Sequence, residues 1–113
     1  MKKIIISEGY NNTINAGATR YFPSESGATV EAYLLKTIFI EADYAMQFKI
    51  EVKGSENDTW SKYYPSSDWK TLTADKLEVL SFEEDVYKVR ITVYNPDTSA
   101  HTLKKYIIRG GNP

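Results

Sequence analysis

Residues 46–53, MQFKIEVK, alternate apolar and polar side chains without interruption. Successive side chains of a β-strand point to opposite faces, so Met46, Phe48, Ile50 and Val52 share one face. The polar residues between them share the other. The segment therefore predicts an antiparallel strand with one face in a core and the other in water. Residues 86–94, VYKVRITVY, alternate in the same way, and a turn signal follows Tyr94. They predict a second strand of this kind.

The rest of the chain consists of short strand-like runs separated by residues that favour turns, the first of which is predicted at Gly9 to Asn12. The runs are residues 3–6, 13–22, 29–41, 46–53, 59–64, 70–73, 76–82, 86–94 and 102–109. No segment keeps an apolar period near 3.6, and the best helical candidates, residues 66–74 and 74–80, equally fit a single turn between strands. This organisation is typical of a β-sandwich or barrel.

Two segments carry apolar residues on both faces. They are residues 34–42, LLKTIFIEA, and residues 105–109, KYIIR. A strand of this kind is either covered on both sides or turns its outer face toward a partner.

Length and composition narrow the classes of function. With 113 residues the chain predicts a single domain spanning residues 1–113. The net charge of −1 argues against nucleic acid or an anionic membrane as a partner. Cysteine is absent, so we expect stability to come from packing and backbone hydrogen bonds.

The two ends of the chain carry separate expectations. The apolar run near the start is limited to Ile4, Ile5 and Ile6, which is shorter than the apolar region of a secretory signal. We therefore expect an N-terminal strand or arm over residues 1–8 rather than an export signal. Residues 110–113, GGNP, predict a flexible tail.

Residues suited to catalysis or metal binding are few. His101 is the only histidine, and a surface position is the expectation for it. Two acidic runs could offer oxygen ligands to a hard cation, but both lack the alternating spacing of a calcium loop; they are Glu56, Asn57 and Asp58, and Glu83, Glu84 and Asp85. We expect no metal, no cofactor and no enzymatic activity; a hydrolase using residues 83–85 is the weakest alternative.

Four aromatic residues, Trp60, Tyr63, Tyr64 and Trp69, lie within ten positions. Aromatic rings on loops stack on sugars or anchor protein interfaces. The alternative is that Trp60 belongs to the core while the tyrosine hydroxyl groups reach the surface.

Three segments together resemble small sandwich proteins encoded among the structural genes of tailed bacteriophages. The first is TINAGATRYFP, residues 13–23, and the third is the closing hairpin VYKVRITVYNPDTSAHTLKKYIIRG, residues 86–110. The second, IEVKGSENDTW at residues 50–60, is also similar to the strand-turn-strand signature of galactose-binding-like, discoidin-type jelly rolls, with Thr59 in place of a glycine. In this turn we expect a positive φ at Gly54, and Trp60 packed against the preceding strand.

The resemblance implies an all-β fold, an antiparallel, jelly-roll-like β-sandwich of about eight strands. It also implies a structural protein of the virion, such as a capsid decoration subunit or another head or tail accessory protein. Its expected partners are capsid or other virion proteins and further copies of itself, contacted through Ile4, Ile5, Ile6, Trp60, Tyr63, Tyr64 and Trp69. The alternative is a carbohydrate-binding module of a tail appendage or secreted enzyme, in which the same aromatic residues bind a glycan.

Overall fold

The computed structural model describes residues 2–113, which form ten strands and no helix, and hence no helix long enough to cross a membrane. The strands are β1 (Lys2–Ile14), β2 (Thr19–Phe22), β3 (Ala28–Thr29), β4 (Leu35–Ala42), β5 (Gln47–Lys53), β6 (Ser61–Tyr64), β7 (Lys70–Thr71), β8 (Glu78–Phe82), β9 (Lys88–Tyr94) and β10 (His101–Asn112). They form two antiparallel sheets. Sheet A has the order β1-β10-β4-β8, and sheet B has the order β2-β9-β5-β6, with β3 also on β9 and β7 also on β5.

The strand pairing is that of a jelly roll, in which one long hairpin is rolled into two sheets. The first strand pairs with the last, β1 with β10, and successive pairs follow inward: β2 and β3 with β9, β4 with β8, and β6 and β7 with β5. Strands β2 and β3 together act as one interrupted strand, and so do β6 and β7. The ten strands therefore correspond to eight. The all-β, jelly-roll-like sandwich predicted from the sequence is confirmed.

The core lies between the two sheets and follows the alternation of the sequence. In β5 the buried hydrophobic residues are Phe48 and Ile50, and in β9 they are Val89, Ile91 and Val93. Sheet A contributes its alternate residues from β4 and β10. These are Ile38, Ile40, Ala42, Leu103, Tyr106 and Ile108.

The turn predicted at residues 9–12 is wrong, because β1 continues through it to Ile14. Gly9 lies against the ring of Tyr106, where a Cβ would be 2.4 Å from Cε1. Asn11 has a φ of 55° within the strand. Glycine and asparagine therefore mark a close approach and a local irregularity here rather than a reversal of the chain. The chain turns only at residues 15–18, which divides the predicted strand 13–22.

The predicted tail at residues 110–113 is instead strand as far as Asn112. The Asn112 side chain accepts a hydrogen bond from the Leu34 amide at 2.8 Å and donates one to the Ala32 carbonyl at 2.9 Å. Gly110 lies under the ring of Tyr33, where a Cβ would be 2.5 Å from Cγ. The segment preceding β4 thus holds the end of β10. It also breaks the predicted strand 29–41 into β3 and β4.

Candidate interaction surface

All six large hydrophobic side chains that are exposed among residues 2–113 belong to sheet A or to a residue directly before one of its strands. Three lie on β1, one lies on β8, and two directly precede β4 and β8. They are Ile4, Ile5, Tyr10, Val79, Leu34 and Leu77. Sheet A therefore carries the exposed apolar surface of the protein.

Strand β1 forms one edge of sheet A. Ile5 is 53% exposed, whereas Ile4 is 39% exposed and lines a groove of about 410 Å³ with Tyr33 and Asn112. Ile6 lies at a break in register between Ile5 and Ser7 and packs against the core. The predicted isoleucine contact is therefore divided: Ile4 and Ile5 are exposed on opposite faces of β1, and Ile6 packs against the core.

Strand β8 forms the opposite edge of sheet A. Val79 is 53% exposed on it, and Leu77 is 38% exposed just before it. A shallow notch opens between this edge and sheet B. It is lined mainly by apolar side chains, among them Ile38, Ile40, Phe48, Tyr64 and Leu80. No sequence feature marked β8 as a contact surface, although the outward positions of Val79 and Ser81 follow from the alternation of EVLSF.

The outer face of sheet A has an apolar row across its strands. Ile107 of β10 pairs with Phe39 of β4, which pairs in turn with Val79 of β8. The guanidinium of Arg109 lies 5.1 Å from the centroid of the Phe39 ring. The apolar residues predicted on both faces of β4 and β10 thus pack in the core on one face and form this outer row on the other.

The four clustered aromatic residues do not form one surface. Trp60 lies on the outer face of sheet B, with the guanidinium of Arg90 4.4 Å and the ammonium of Lys53 5.2 Å from its ring centroid. Trp69 lies on the same face, with the ammonium of Lys49 at 4.5 Å. Both indoles are half-buried.

The two tyrosines lie where the edges of the sheets approach each other. The Tyr64 ring is 6.1 Å from that of Phe48, and the Tyr63 ring is 4.6 Å from that of Phe82. The Tyr63 hydroxyl donates to the Glu84 carboxylate at 2.6 Å, and burial together with this bond raises the pKa of Tyr63 to about 12. These rings connect β6 to the core and to β8 rather than projecting into solvent.

Arg90 organises the outer face of sheet B. Its guanidinium lies between two rings, 4.3 Å from the centroid of Tyr21 and 4.4 Å from that of Trp60. It donates to the Glu51 carboxylate at 2.9 Å and to the Glu25 carbonyl at 2.7 Å. Arg90 is 9% exposed, so this cation and its aromatic neighbours are an internal feature of the face. The alternation of residues 86–94 puts Arg90 on the polar face of its strand, but no sequence pattern indicates this arrangement.

The acidic runs support their own loops. The Asp58 carboxylate accepts from the amides of Gly54 at 2.9 Å and Thr59 at 2.8 Å, and these donors lower its pKa. Gly54 does not have the expected positive φ. The carboxylate of Glu56 accepts from the Tyr87 hydroxyl, which lowers the pKa of Glu56. Residues 2–113 contain no group of three or more histidine, cysteine, aspartate or glutamate side chains arranged to hold a metal.

Lys36 is a buried cation inside sheet A, with 1% exposure. Its ammonium donates to the carbonyls of Tyr33 at 3.2 Å, Leu34 at 3.1 Å and Glu84 at 2.6 Å. Burial lowers its pKa, while the nearby acidic residues oppose that shift. Three acceptors match the three donors of an ammonium, so Lys36 connects the loop before β4 to the loop after β8.

His101 is partly buried rather than a freely solvated surface residue. Its ring stacks on Tyr44 at 3.8 Å, and its Nε2 lies 2.7 Å from a carboxylate oxygen of Asp97. This hydrogen bond lowers the pKa of Asp97. The contacts join the start of β10 to the two loops that carry Tyr44 and Asp97.

Comparisons with known proteins identify no family. No family model matches the chain, and no curated protein matches it. Among solved structures, the chain is similar to the coat protein of Tobacco streak virus, described as a dimer, with a TM-score of 0.46 and 10% identity over 99% of this chain and 86% of that one. At this level of similarity, we assign no function from it.

Proposed function

We propose that this protein is a non-enzymatic structural subunit of a virus particle that acts by binding other virion proteins through sheet A. In its specific form, the proposal is a capsid decoration subunit or a related head or tail accessory protein of a tailed bacteriophage, located in the virion. The resemblance of three segments to phage structural proteins supports the virion assignment, and the jelly-roll topology is the fold that this resemblance implies.

The observation that carries the proposed mechanism is the distribution of exposed hydrophobic side chains. All six of those that are exposed in the described part of the chain, residues 2–113, belong to sheet A or to residues directly before its strands. Burying such side chains against a partner contributes about 25 cal/mol per Å² of apolar surface. A repeated contact of this kind adds stability to a particle at every position that it occupies.

The test is quantitative mass spectrometry of particles purified from cells that express the chain together with the virus that encodes it. We expect the wild-type chain in many copies per particle. Ile5→Lys combined with Val79→Lys should reduce incorporation about tenfold, which corresponds to about 1.4 kcal/mol of lost binding energy. Thr19→Lys, on the exposed outer side of sheet B, is the matched control. Absence of the wild-type chain from particles would overturn the proposal.

A carbohydrate-binding module is the second candidate, favoured by the position of both indoles on the outer face of sheet B. Lys53 and Lys49, which lie over the two indoles, are four residues apart on β5, or about 13 Å along the strand. A short linear glycan spans such a distance. However, Arg90 and Lys49 already lie over these rings, so a sugar would have to use the remaining faces.

Tryptophan fluorescence separates the two candidates. Under the virion proposal, titration with oligosaccharides leaves the emission of the chain unchanged. A saturable shift that Trp60→Phe or Trp69→Phe reduces would favour the carbohydrate module.

A further inference from the structure

We propose that edge strand β1 of one copy of this protein pairs with edge strand β8 of a second copy, in antiparallel orientation, so that sheet A continues from subunit to subunit. This inference rests on the proposed function and deepens it, because it names the partner of sheet A as a second copy of the chain.

Both edges have backbone groups free for pairing. Within residues 2–113, β1 pairs only with β10 and β8 pairs only with β4. No backbone hydrogen bond outside these two ladders involves residues 2–13 or 78–82. An edge of this kind is a template for another strand, and main-chain hydrogen bonds then supply affinity.

The charges at the two edges are opposite. Lys2 and Lys3 are exposed at the start of β1. The loop after β8 presents the exposed acidic residues Glu83, Glu84 and Asp85. None of these five side chains forms an ion pair within the described part of the chain. An antiparallel arrangement brings the basic start of β1 to the acidic end of β8, whereas a parallel arrangement separates them.

In one antiparallel register, side chains that lie opposite each other on the two edges also point to the same face of sheet A. If Lys3 lies opposite Glu83, then Ile5 lies opposite Ser81 and Ile4 lies opposite Phe82. Ile5 and Ser81 both point outward, because their partners Arg109 and Thr37 alternate with the core residues of β10 and β4. A shift by one residue would reverse this match. The register break after Ile5 limits regular pairing to Lys2–Ile5, which in this register lie opposite residues 81–84, the end of β8 and the start of the acidic loop.

Pairing of β1 with β8 joins two different surfaces, so each bound copy leaves one free edge of each kind. Such a heterologous contact produces a ring or an open chain of subunits rather than a closed dimer. Antiparallel pairing of two β8 edges and pairing of two β1 edges are the competing arrangements. Each predicts a dimer that depends on only one of the two edges, and neither brings the basic start of β1 to the acidic end of β8.

Sedimentation velocity over a concentration series at low salt tests the pairing. We expect the average mass of the wild-type chain to rise beyond that of a dimer as concentration increases. The basic-edge variant, Lys2→Glu with Lys3→Glu, and the acidic-edge variant, Glu83→Lys with Asp85→Lys, should each remain monomeric. An equimolar mixture of the two variants should associate again, because each reversed edge then meets a complementary one.

The control is Lys70→Glu, a charge reversal on β7 of sheet B that should leave association unchanged. Circular dichroism verifies that each variant is folded, and Glu83→Lys alone replaces the acidic-edge variant if that variant is not. A wild-type chain that is monomeric up to about 1 mM would overturn the inference. An acidic-edge variant that associates like the wild type would also overturn the inference, and it would favour pairing of β1 with β1. A mixture of the two variants that stays monomeric would overturn the inference as well.

The outcomes separate this inference from the proposed function. If the chain is incorporated into particles but does not self-associate, the virion role stands and the named partner is wrong. If the chain self-associates through these edges but is absent from particles, the pairing stands and the virion role is wrong.

Discussion

At the scale of single residues, Arg90 is the cation whose geometry matters most on sheet B. A lysine retains the charge but lacks the planar fork that binds Glu51 and the Glu25 carbonyl while stacking between two rings. We expect Arg90→Lys to lower the free energy of unfolding by about 2 kcal/mol. Urea unfolding measures the loss, with Lys88→Arg on the same strand as the control. Equal stability of the two variants would contradict this account.

Lys36 provides a second test at this scale. Lys36→Met keeps a long apolar side chain but leaves the carbonyls of Tyr33, Leu34 and Glu84 without their donor. Unpaired buried acceptors are costly, so we expect a loss of about 3 kcal/mol in the free energy of unfolding. Lys70→Met, a half-buried position, should change it by less than about 0.5 kcal/mol. A loss at Lys36 as small as that of the control would show that the three bonds contribute little.

At the scale of elements, the packing of β1 on β10 depends on a missing side chain. A Cβ at Gly9 would meet the Tyr106 ring at 2.4 Å, and Tyr106 is itself 6% exposed in the core. Gly9→Ala should therefore destabilise the protein by about 1–3 kcal/mol through overpacking. Gly54→Ala is the control, because its nearest neighbour would be 3.4 Å away. Thermal unfolding of both variants measures the difference, and similar melting temperatures would refute the prediction.

The same strands show how far the sequence determines the elements. Strict alternation predicted β5 and β9, because burial of one face imposes a period of two. Glycine and asparagine at residues 9–12 predicted a turn that does not occur, because the same residues also serve bulges and close contacts. Pairing of β1 with β10, nearly the full chain length apart, could not be predicted, since alternation specifies a face and not a partner.

The candidate surface was predictable to a similar extent. The isoleucines of β1 and the two-faced segments of β4 and β10 indicated sheet A, because apolar residues beyond the needs of a core are visible in the sequence. The sequence did not show that the aromatic cluster is divided, with Trp60 and Trp69 on the outer face of sheet B and Tyr63 and Tyr64 between the edges of the sheets. This division depends on Arg90 and Lys49, which come from strands distant in sequence and occupy the faces of the two indoles.

At the scale of the whole molecule, the two sheets have different outer surfaces. On sheet B, lysine and arginine side chains lie over the aromatic rings of the same face, and the buried Arg90 pairs with Glu51. On sheet A, exposed hydrophobic side chains lie along both edges, and a row of largely half-buried apolar side chains crosses the outer face between them. This asymmetry is the physical basis for expecting contacts through sheet A.

The loops around both sheets make stability depend on pH. Four carboxyl groups in three loops have lowered pKa values because they accept hydrogen bonds; they are Glu56, Asp58, Glu84 and Asp97. A carboxyl whose pKa is lower in the folded state stabilises the protein above its unfolded pKa, and this contribution is lost as pH falls through the folded value. The ordinary values are 3.8 for aspartate and 4.5 for glutamate, so the loss should begin as pH falls below about 4.5.

We therefore expect the urea midpoint of the wild-type chain to be constant between pH 7 and pH 5 and to fall steadily from pH 4.5 to pH 2. Asp97→Asn removes one contributor, since its amide retains a polar group beside His101 but does not titrate. This variant should be less stable at pH 7 and should lose less of its remaining stability on acidification. Thr98→Val, in the same loop but with no ionisable group, is the control and should follow the wild-type profile. If Asp97→Asn and the wild type decline in parallel, the bond between Asp97 and His101 does not contribute to acid sensitivity.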